Sequence, residues 1–213
     1  MTARRLRDFP SLSDLNRVVS AVVRVGTESR RGDWPLFKKL AALVVALVLL
    51  PNLAMAHGPT RKKAIESVAI NAPPAKVWAA IKNFGDMSWH PRIALDDASK
   101  GNEKGSIRTL GFKSGGMMQE ELSKYQPEKM SYSTFIGHVN TKLLPATNYS
   151  STITVKPADD GTSSTVTWRA AFYRGYPNND PPPELNDDAA IKGVSAFLKE
   201  GLDGLKTKVE SGS

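Results

Sequence analysis

Residues 187–210 read DDAAIKGVSAFLKEGLDGLKTKVE, and this stretch decides the fold. Ile191, Val194, Leu198, Leu202, Leu205 and Val209 recur at steps of 3, 4, 4, 3 and 4. That is the period of an amphipathic α-helix with one continuous apolar stripe. Phe197, Gly193, Gly201 and Gly204 fall on the arc beside the stripe; Lys192, Lys199, Asp203 and Lys206 fall opposite. Asp187 and Asp188 suit the positive end of the helix dipole, and Lys206 and Lys208 suit the negative end. A glycine inside a helix costs roughly 1 kcal/mol against alanine. Gly193, Gly201 and Gly204 are tolerable where another layer, or a ligand, comes close to the helix backbone.

The chain before this helix is organised mostly as strands. Residues 64–71 alternate apolar and polar, with Ile65, Val68 and Ile70 among the apolar positions. Asn71-Ala72-Pro73-Pro74 then opens a short helix with Val77, Trp78 and Ile81 on its apolar face; prolines suit a helix start, where N–H groups lack partners anyway. Ser88-Trp89-His90-Pro91 is a tight aromatic turn. Weak strands follow at 93–98 and 106–112, then a Gly115-Gly116 turn. Residues 117–125 form a clearer strand with Met118, Glu120 and Leu122 on one face. After a turn at 126–129, residues 130–137 return with Met130, Tyr132, Thr134 and Ile136 together. Residues 143–147 break the pattern. Tyr149, Ser151, Ile153 and Val155 resume it, and Asp159-Asp160-Gly161 is a hairpin turn. Val166, Trp168, Ala170 and Phe172 share a face of the last strand, and a proline-rich loop at 176–183 leads to the long helix. The order predicts an α+β fold: strand, helix, a meander of about six strands, helix. A single antiparallel sheet has one apolar face to cover, and the long helix is the element able to cover it.

Lys38-Lys39, an apolar run at 40–50 and an Ala-Met-Ala end compose a secretory signal peptide over residues 34–56, cleaved between Ala56 and His57. The run falls short of the ~20 residues a bilayer crossing needs; an uncleaved anchor is the alternative. Residues 1–33, with Arg4, Arg5, Arg7, Arg30 and Arg31, are a dispensable extension or the product of a start codon set too far upstream. The folded domain is then 57–213, and its address the periplasm. The formal charge of +8 is uneven: residues 1–56 hold 9 Lys/Arg and 4 Asp/Glu, and the remainder 20 and 17, a net of +3. No basic patch typical of nucleic-acid binding survives in the folding part. No cysteine is present, which excludes a disulfide frame and thiolate metal sites.

This order resembles the helix-grip fold of the START-like, or SRPBCC, superfamily, which includes polyketide cyclases, plant hormone receptors and lipid carriers. Trp89-His90-Pro91 with Ile93 is similar to the superfamily's Trp-His-Pro segment, and Leu144-Pro145-Ala146-Thr147-Asn148-Tyr149 to its gate-like loop. The resemblance covers about residues 63–208. It implies a curved antiparallel sheet of about six to seven strands wrapped around the long C-terminal helix, with a cavity between them. Residues 168–175 (WRAAFYRG) and 181–187 (PPPELND) resemble the MxaD family. Those are periplasmic accessory proteins of methanol oxidation, associated with the quinoprotein methanol dehydrogenase and its cytochrome c acceptor. The long N-terminal extension departs from the family's pattern.

The residues themselves offer little chemistry. His57, His90 and His138 form no pair with metal-ligand spacing, and no glycine-rich phosphate loop appears; neither a metal nor a cofactor is expected. Glu120 shares a face with Met118 and Leu122. It either points into the cavity, where burial raises a carboxyl pKa, or meets water or a lysine at the barrel mouth. His90 is either a polar contact or base at the cavity mouth, or a satisfied structural histidine. Trp78, Trp89 and Trp168 stack on a ligand or fill the core. The cavity candidates are Trp89, His90, Glu120, Tyr132, Tyr149 and Trp168, with Leu144, Pro145, Ala146 and Thr147 as the gate. No nucleophile, base and orienting group stand out together, so no catalytic residue is assigned. Three functions are weighed: an accessory that docks on a redox enzyme, a carrier of a small apolar ligand, and a cyclase- or dehydratase-type enzyme. A docking loop at 176–183 and modest salt dependence are expected for the first. An enclosed cavity of several hundred Å³ marks the second.

Overall fold

The computed structural model describes residues 58–212. The extension at 1–33, the signal peptide at 34–56 and the cleavage site between Ala56 and His57 lie outside the described residues. Among the described residues, seven strands and two α-helices follow in order: β1 (Lys62–Ile70), α1 (Pro74–Ile81), β2 (Ile93–Ala98), β3 (Ile107–Phe112), β4 (Met117–Gln126), β5 (Ser131–Ile136), β6 (Ala146–Pro157), β7 (Ser164–Arg174) and α2 (Asp187–Ser211). The strands make one antiparallel sheet in the order β1-β7-β6-β5-β4-β3-β2. This is the helix-grip α+β architecture expected from the sequence.

Local chemistry explains the connections. Gly115 and Gly116 both take φ near +90° (88° and 89°) and turn β3 into β4, a conformation that glycine adopts without steric cost. Pro127–Lys129 make a single 3₁₀ turn, and Met130 follows in the left-handed region at φ 46°. Asp160 accepts hydrogen bonds from the backbone N–H groups of Thr162 and Ser163, 2.8 Å each, and so ties the β6–β7 hairpin. The Asn186 side chain caps α2 by accepting from Ala189 N at 2.8 Å. At the other end Gly212 takes the left-handed cap conformation.

The core lies between the sheet and α2. Met118, Leu122, Tyr132, Ile136, Tyr149, Ile153, Val155, Val166, Trp168, Ala170 and Phe172 all face inward and are buried, as their alternation predicted. Val77, Trp78 and Ile81 of α1 join the same core, and Trp78 stands 5.9 Å from Tyr125 and 6.3 Å from Tyr132, centre to centre. Two apolar positions depart from expectation. Ile65 is 59% exposed, because Ala64, Val68 and Ile70 take the inner face and a period of two cannot also turn residue 65 inward. Ile191 is 37% exposed: the buried arc of α2 runs through Ala190, Val194, Phe197, Leu198, Gly201 and Leu202, with Ile191 on its rim. The stripe is therefore rotated toward the glycines.

Candidate functional site

The three glycines mark where the sheet and loops press on α2. A methyl group at Gly193 would lie 2.7 Å from Pro145, and one at Gly201 would lie 2.6 Å from His90 and 2.7 Å from Trp168. One at Gly204 would run into the Trp89 carbonyl oxygen. The helix backbone is thus in direct contact with the gate segment, the aromatic turn and β7. What comes close at these positions is protein.

His90 sits at the centre of this junction, fully buried. The Arg92 N–H donates to its Nδ1 at 3.2 Å, so the proton is on Nε2, which donates to the Phe197 carbonyl at 3.1 Å. Its ring lies 4.2 Å from that of Phe197 and 6.1 Å from Trp168, and Trp89 packs 5.5 Å from Trp168. Both ring nitrogens are occupied, which makes His90 a structural member of the core. Burial, against the smaller pull of the Phe197 hydrogen bond, lowers its pKa to about 4. The folded domain therefore refuses a proton that the unfolded chain accepts near pH 6.5. The stability held by neutral His90 is complete above pH 6.5 and is lost as pH falls from about 6.5 toward 4, a loss on the order of 3 kcal/mol. Urea midpoints at pH 7, 5 and 4 should show His90→Gln with a shallower acid limb than wild type; parallel profiles would contradict the assignment.

The inner face of the sheet carries a fully buried ion pair. Arg108 on β3 and Glu120 on β4 are direct cross-strand partners. They are 1% and 3% exposed, and Arg108 Nε donates to Glu120 Oε2 at 2.7 Å while Nη2 donates to the same oxygen. Arg108 Nη1 donates to the Phe84 carbonyl at 2.8 Å, and its guanidinium lies 4.4 Å from the Phe84 ring centre. Beside the pair, Trp168 Nε1 donates to Ser151 Oγ at 3.0 Å, and Ser151 shares a 2.8 Å hydrogen bond with Thr134. The Tyr149 hydroxyl is buried near Ser151 and has no hydrogen-bond partner of good geometry among the described residues. Burial pushes the Tyr132 and Tyr149 hydroxyls upward, so both remain neutral donors.

Arg108, Glu120, Tyr149 and Trp168 border an interior space of about 10 Å³, walled also by Met87, Leu144 and Phe197. A space of that size admits about one water molecule. The structure thus gathers Glu120, Tyr149 and Trp168 around one small cavity and places Tyr132 on the same inner face. Trp89 and His90 stand behind Trp168, against α2. The gate candidates separate: Leu144 lines the cavity, Pro145 abuts Gly193, and Ala146 and Thr147 are already paired in β6 with Arg174 and Tyr173. The pattern break at 143–147 reflects Pro145 and a bulge, with Asn148 at φ 48°, within a strand that starts earlier than its alternation suggests. Sequence reasoning missed Arg108. The hairpin is centred on Ser114, so a turn centred on Gly115-Gly116 would have set Gly111, not Arg108, opposite Glu120.

Chemically, the interior offers a neutralised ion pair and a free phenol in apolar walls. The Glu120 carboxylate is held by Arg108 rather than poised as a base. Among the described residues, no cluster of His, Asp and Glu could hold a metal ion.

The family model for polyketide cyclase/dehydrase and lipid transport proteins matches residues 61–210, and the chain belongs to that family. Among solved structures, an uncharacterised protein from Bacillus thuringiensis is 25% identical with a TM-score of 0.59, over 70% of this chain and 98% of that one. The protein XoxI from Bacillus cereus is 26% identical at a TM-score of 0.58, over 69% and 94%. Norcoclaurine synthase from Thalictrum flavum, solved with dopamine and hydroxybenzaldehyde, shares the fold at 14% identity and a TM-score of 0.54, over 73% and 90%. No curated protein matches the sequence. The family spans catalysis and transport, so membership alone does not choose between them.

Proposed function

We propose that this protein is an exported, non-catalytic accessory that works by binding a protein partner. The partner is the quinoprotein methanol dehydrogenase, its cytochrome c, or both. The observation that carries this reading is the filled interior. Small-molecule sites occupy about 300–1,000 Å³, whereas the space beneath α2 is about 10 Å³. Binding then falls to the surface. The signal peptide at 34–56 supports the periplasmic address, and the resemblance of 168–175 and 181–187 to the MxaD family supports the choice of partner. The loop at 176–183 suits a contact. Arg174 ties it down by donating to the carbonyls of Tyr176 and Asn178, 2.8 Å each. A loop already held in place loses less entropy on docking.

Adding the purified protein to methanol dehydrogenase and its cytochrome from the same organism should give a measurable complex and a changed rate of electron transfer. N-terminal sequencing of the exported form should begin at His57; a membrane-retained form keeping residues 40–50 would overturn the address. One observation favours a second reading. The unpartnered Tyr149 hydroxyl beside the Arg108–Glu120 pair could anchor the polar end of a small ligand if the cavity opens. Absence of both binding and rate change, with an apolar compound co-purifying, would establish the carrier reading instead.

A further inference from the structure

The outer face of the sheet, away from α2, has an uneven charge distribution. Lys63 on β1, Arg169 on β7, Lys156 on β6 and Lys124 on β4 point outward and are exposed. Among the described residues none of them joins an ion pair, unlike Lys62, Arg92, Arg108 and Arg174 on other faces. Arg61 adds a fifth cation, donating to Ser150 Oγ at 2.7 Å. The outward positions of β1, β7, β6 and β5 include no carboxylate; Glu121 on β4, opposite Phe135, is the first one met across the sheet. Lys63 is opposite Ala171, so Arg169 is its diagonal neighbour. Strand geometry places such neighbours about 7–8 Å apart, within a Debye length of about 8 Å at physiological salt. A charged residue on an edge strand protects it from pairing with other chains, which accounts for Lys63. That role does not account for Arg169 or Lys156, which lie on interior strands.

Between the cations the floor is mostly short, made of hydroxyl donors and alanine, with Ile65 beside them. Ser133 and Thr152 share a 2.8 Å hydrogen bond, and Ser67 and Thr167 one of 2.9 Å. Lys63, Arg169, Ser133, Ser150 and Thr152 line a groove of about 470 Å³ across this face. Ammonium, guanidinium and hydroxyl donors around a concavity match carboxylate side chains that project from a partner. A flat lipid surface does not enter a groove, and within this one Ile65, 59% exposed, is the single large apolar side chain among the cations and hydroxyls.

We infer that this face docks an acidic protein surface, with Lys63 and Arg169 receiving its carboxylates. The inference rests on the partner-binding reading and names the chemistry of the partner. It replaces the modest salt dependence expected from a net charge of +3, because the cations are concentrated in one place.

The test has two arms, each with wild type, K63E/R169E and a control of equal charge change, K129E/K192E, at exposed positions elsewhere. In the first arm, nitrogen-15-labelled protein is titrated with a short polyglutamate peptide. Amide shifts should centre on residues 63–65, 150–152 and 169–171. Binding should weaken about tenfold or more in K63E/R169E, remain in the control, and fall steeply with salt. Shifts elsewhere, no binding, equal binding by K63E/R169E, or preference for phosphatidylglycerol vesicles would overturn the face. The second arm uses methanol dehydrogenase and its cytochrome. If wild type binds neither protein but the peptide maps to the groove, the face stands and the redox partner falls. If K63E/R169E binds them as wild type does, the redox partner stands and the face falls.

Discussion

Leu198→Asp is expected to abolish cooperative folding, while Ile191→Asp, seven residues earlier on the same apolar repeat, is expected to melt close to wild type. Leu198 is fully buried in the middle of α2, and Ile191 is 37% exposed on the rim. An unpaired charge held in the core costs several kcal/mol, a large share of the 5–15 kcal/mol typical of a whole domain. An exposed substitution usually moves stability by about 0.5 kcal/mol or less. The helix cannot compensate through its own propensity. Gly193, Gly201 and Gly204 each cost roughly 1 kcal/mol against alanine, so α2 depends on packing against the sheet. Far-UV circular dichroism during thermal melts will separate the two variants. If Leu198→Asp melts within a degree or two of wild type, α2 is not the buried element described above. If Ile191→Asp unfolds as well, the buried arc is wider than the structure places it.

The contrast between Leu198 and Ile191 also shows how far the sequence could be read. Periodicity locates α2 to within a residue or so, because 3.6-residue spacing over 24 positions leaves little freedom. It does not say which side of a wide apolar arc meets the sheet. That is decided by Pro145, His90 and Trp89 pressing on the glycines, contacts made across long separations. The inward faces of β4 to β7 were legible because one face of each strand is plainly apolar. On β1 the legibility failed, since Ile65 outranks Ala64 in hydrophobicity yet points outward. His90 was left between two roles because both of its partners are backbone groups, the N–H of Arg92 and the carbonyl of Phe197, and backbone leaves no signature in side-chain identity. Glu120 was recognised as inward-facing but without its partner. Arg108 sits on a short strand whose glycine and threonine blur the alternation, and a buried arginine runs against the usual preference of that residue for water. The closed cavity was illegible for a different reason. Its volume is a small difference between large packed volumes, and no single residue reports it.

Glu120→Ala is expected to destabilise the domain by about 3–5 kcal/mol. Arg108 cannot shed its proton, so removing the carboxylate leaves a guanidinium at 1% exposure held by the Phe84 carbonyl and ring and the nearby Tyr132 hydroxyl, with no anion beside it among the described residues. Arg108→Met with Glu120→Met should recover most of that loss, because an apolar pair of similar length asks for no desolvation. Recovery should be incomplete. The Phe84 carbonyl loses its donor, and an unsatisfied buried acceptor costs about 1–3 kcal/mol. Urea unfolding of wild type, Glu120→Ala, Arg108→Met and the double variant closes the cycle. A cost under about 1 kcal/mol for Glu120→Ala would mean that water reaches the pair in solution, and the cavity would then be more open than 10 Å³. The same four proteins bear on function. If the folded double variant still binds the redox partner, the pair serves the fold, as the accessory reading requires. If the double variant folds but loses a compound that co-purifies with wild type, Arg108, Glu120 and Tyr149 form a ligand site and the carrier reading takes over.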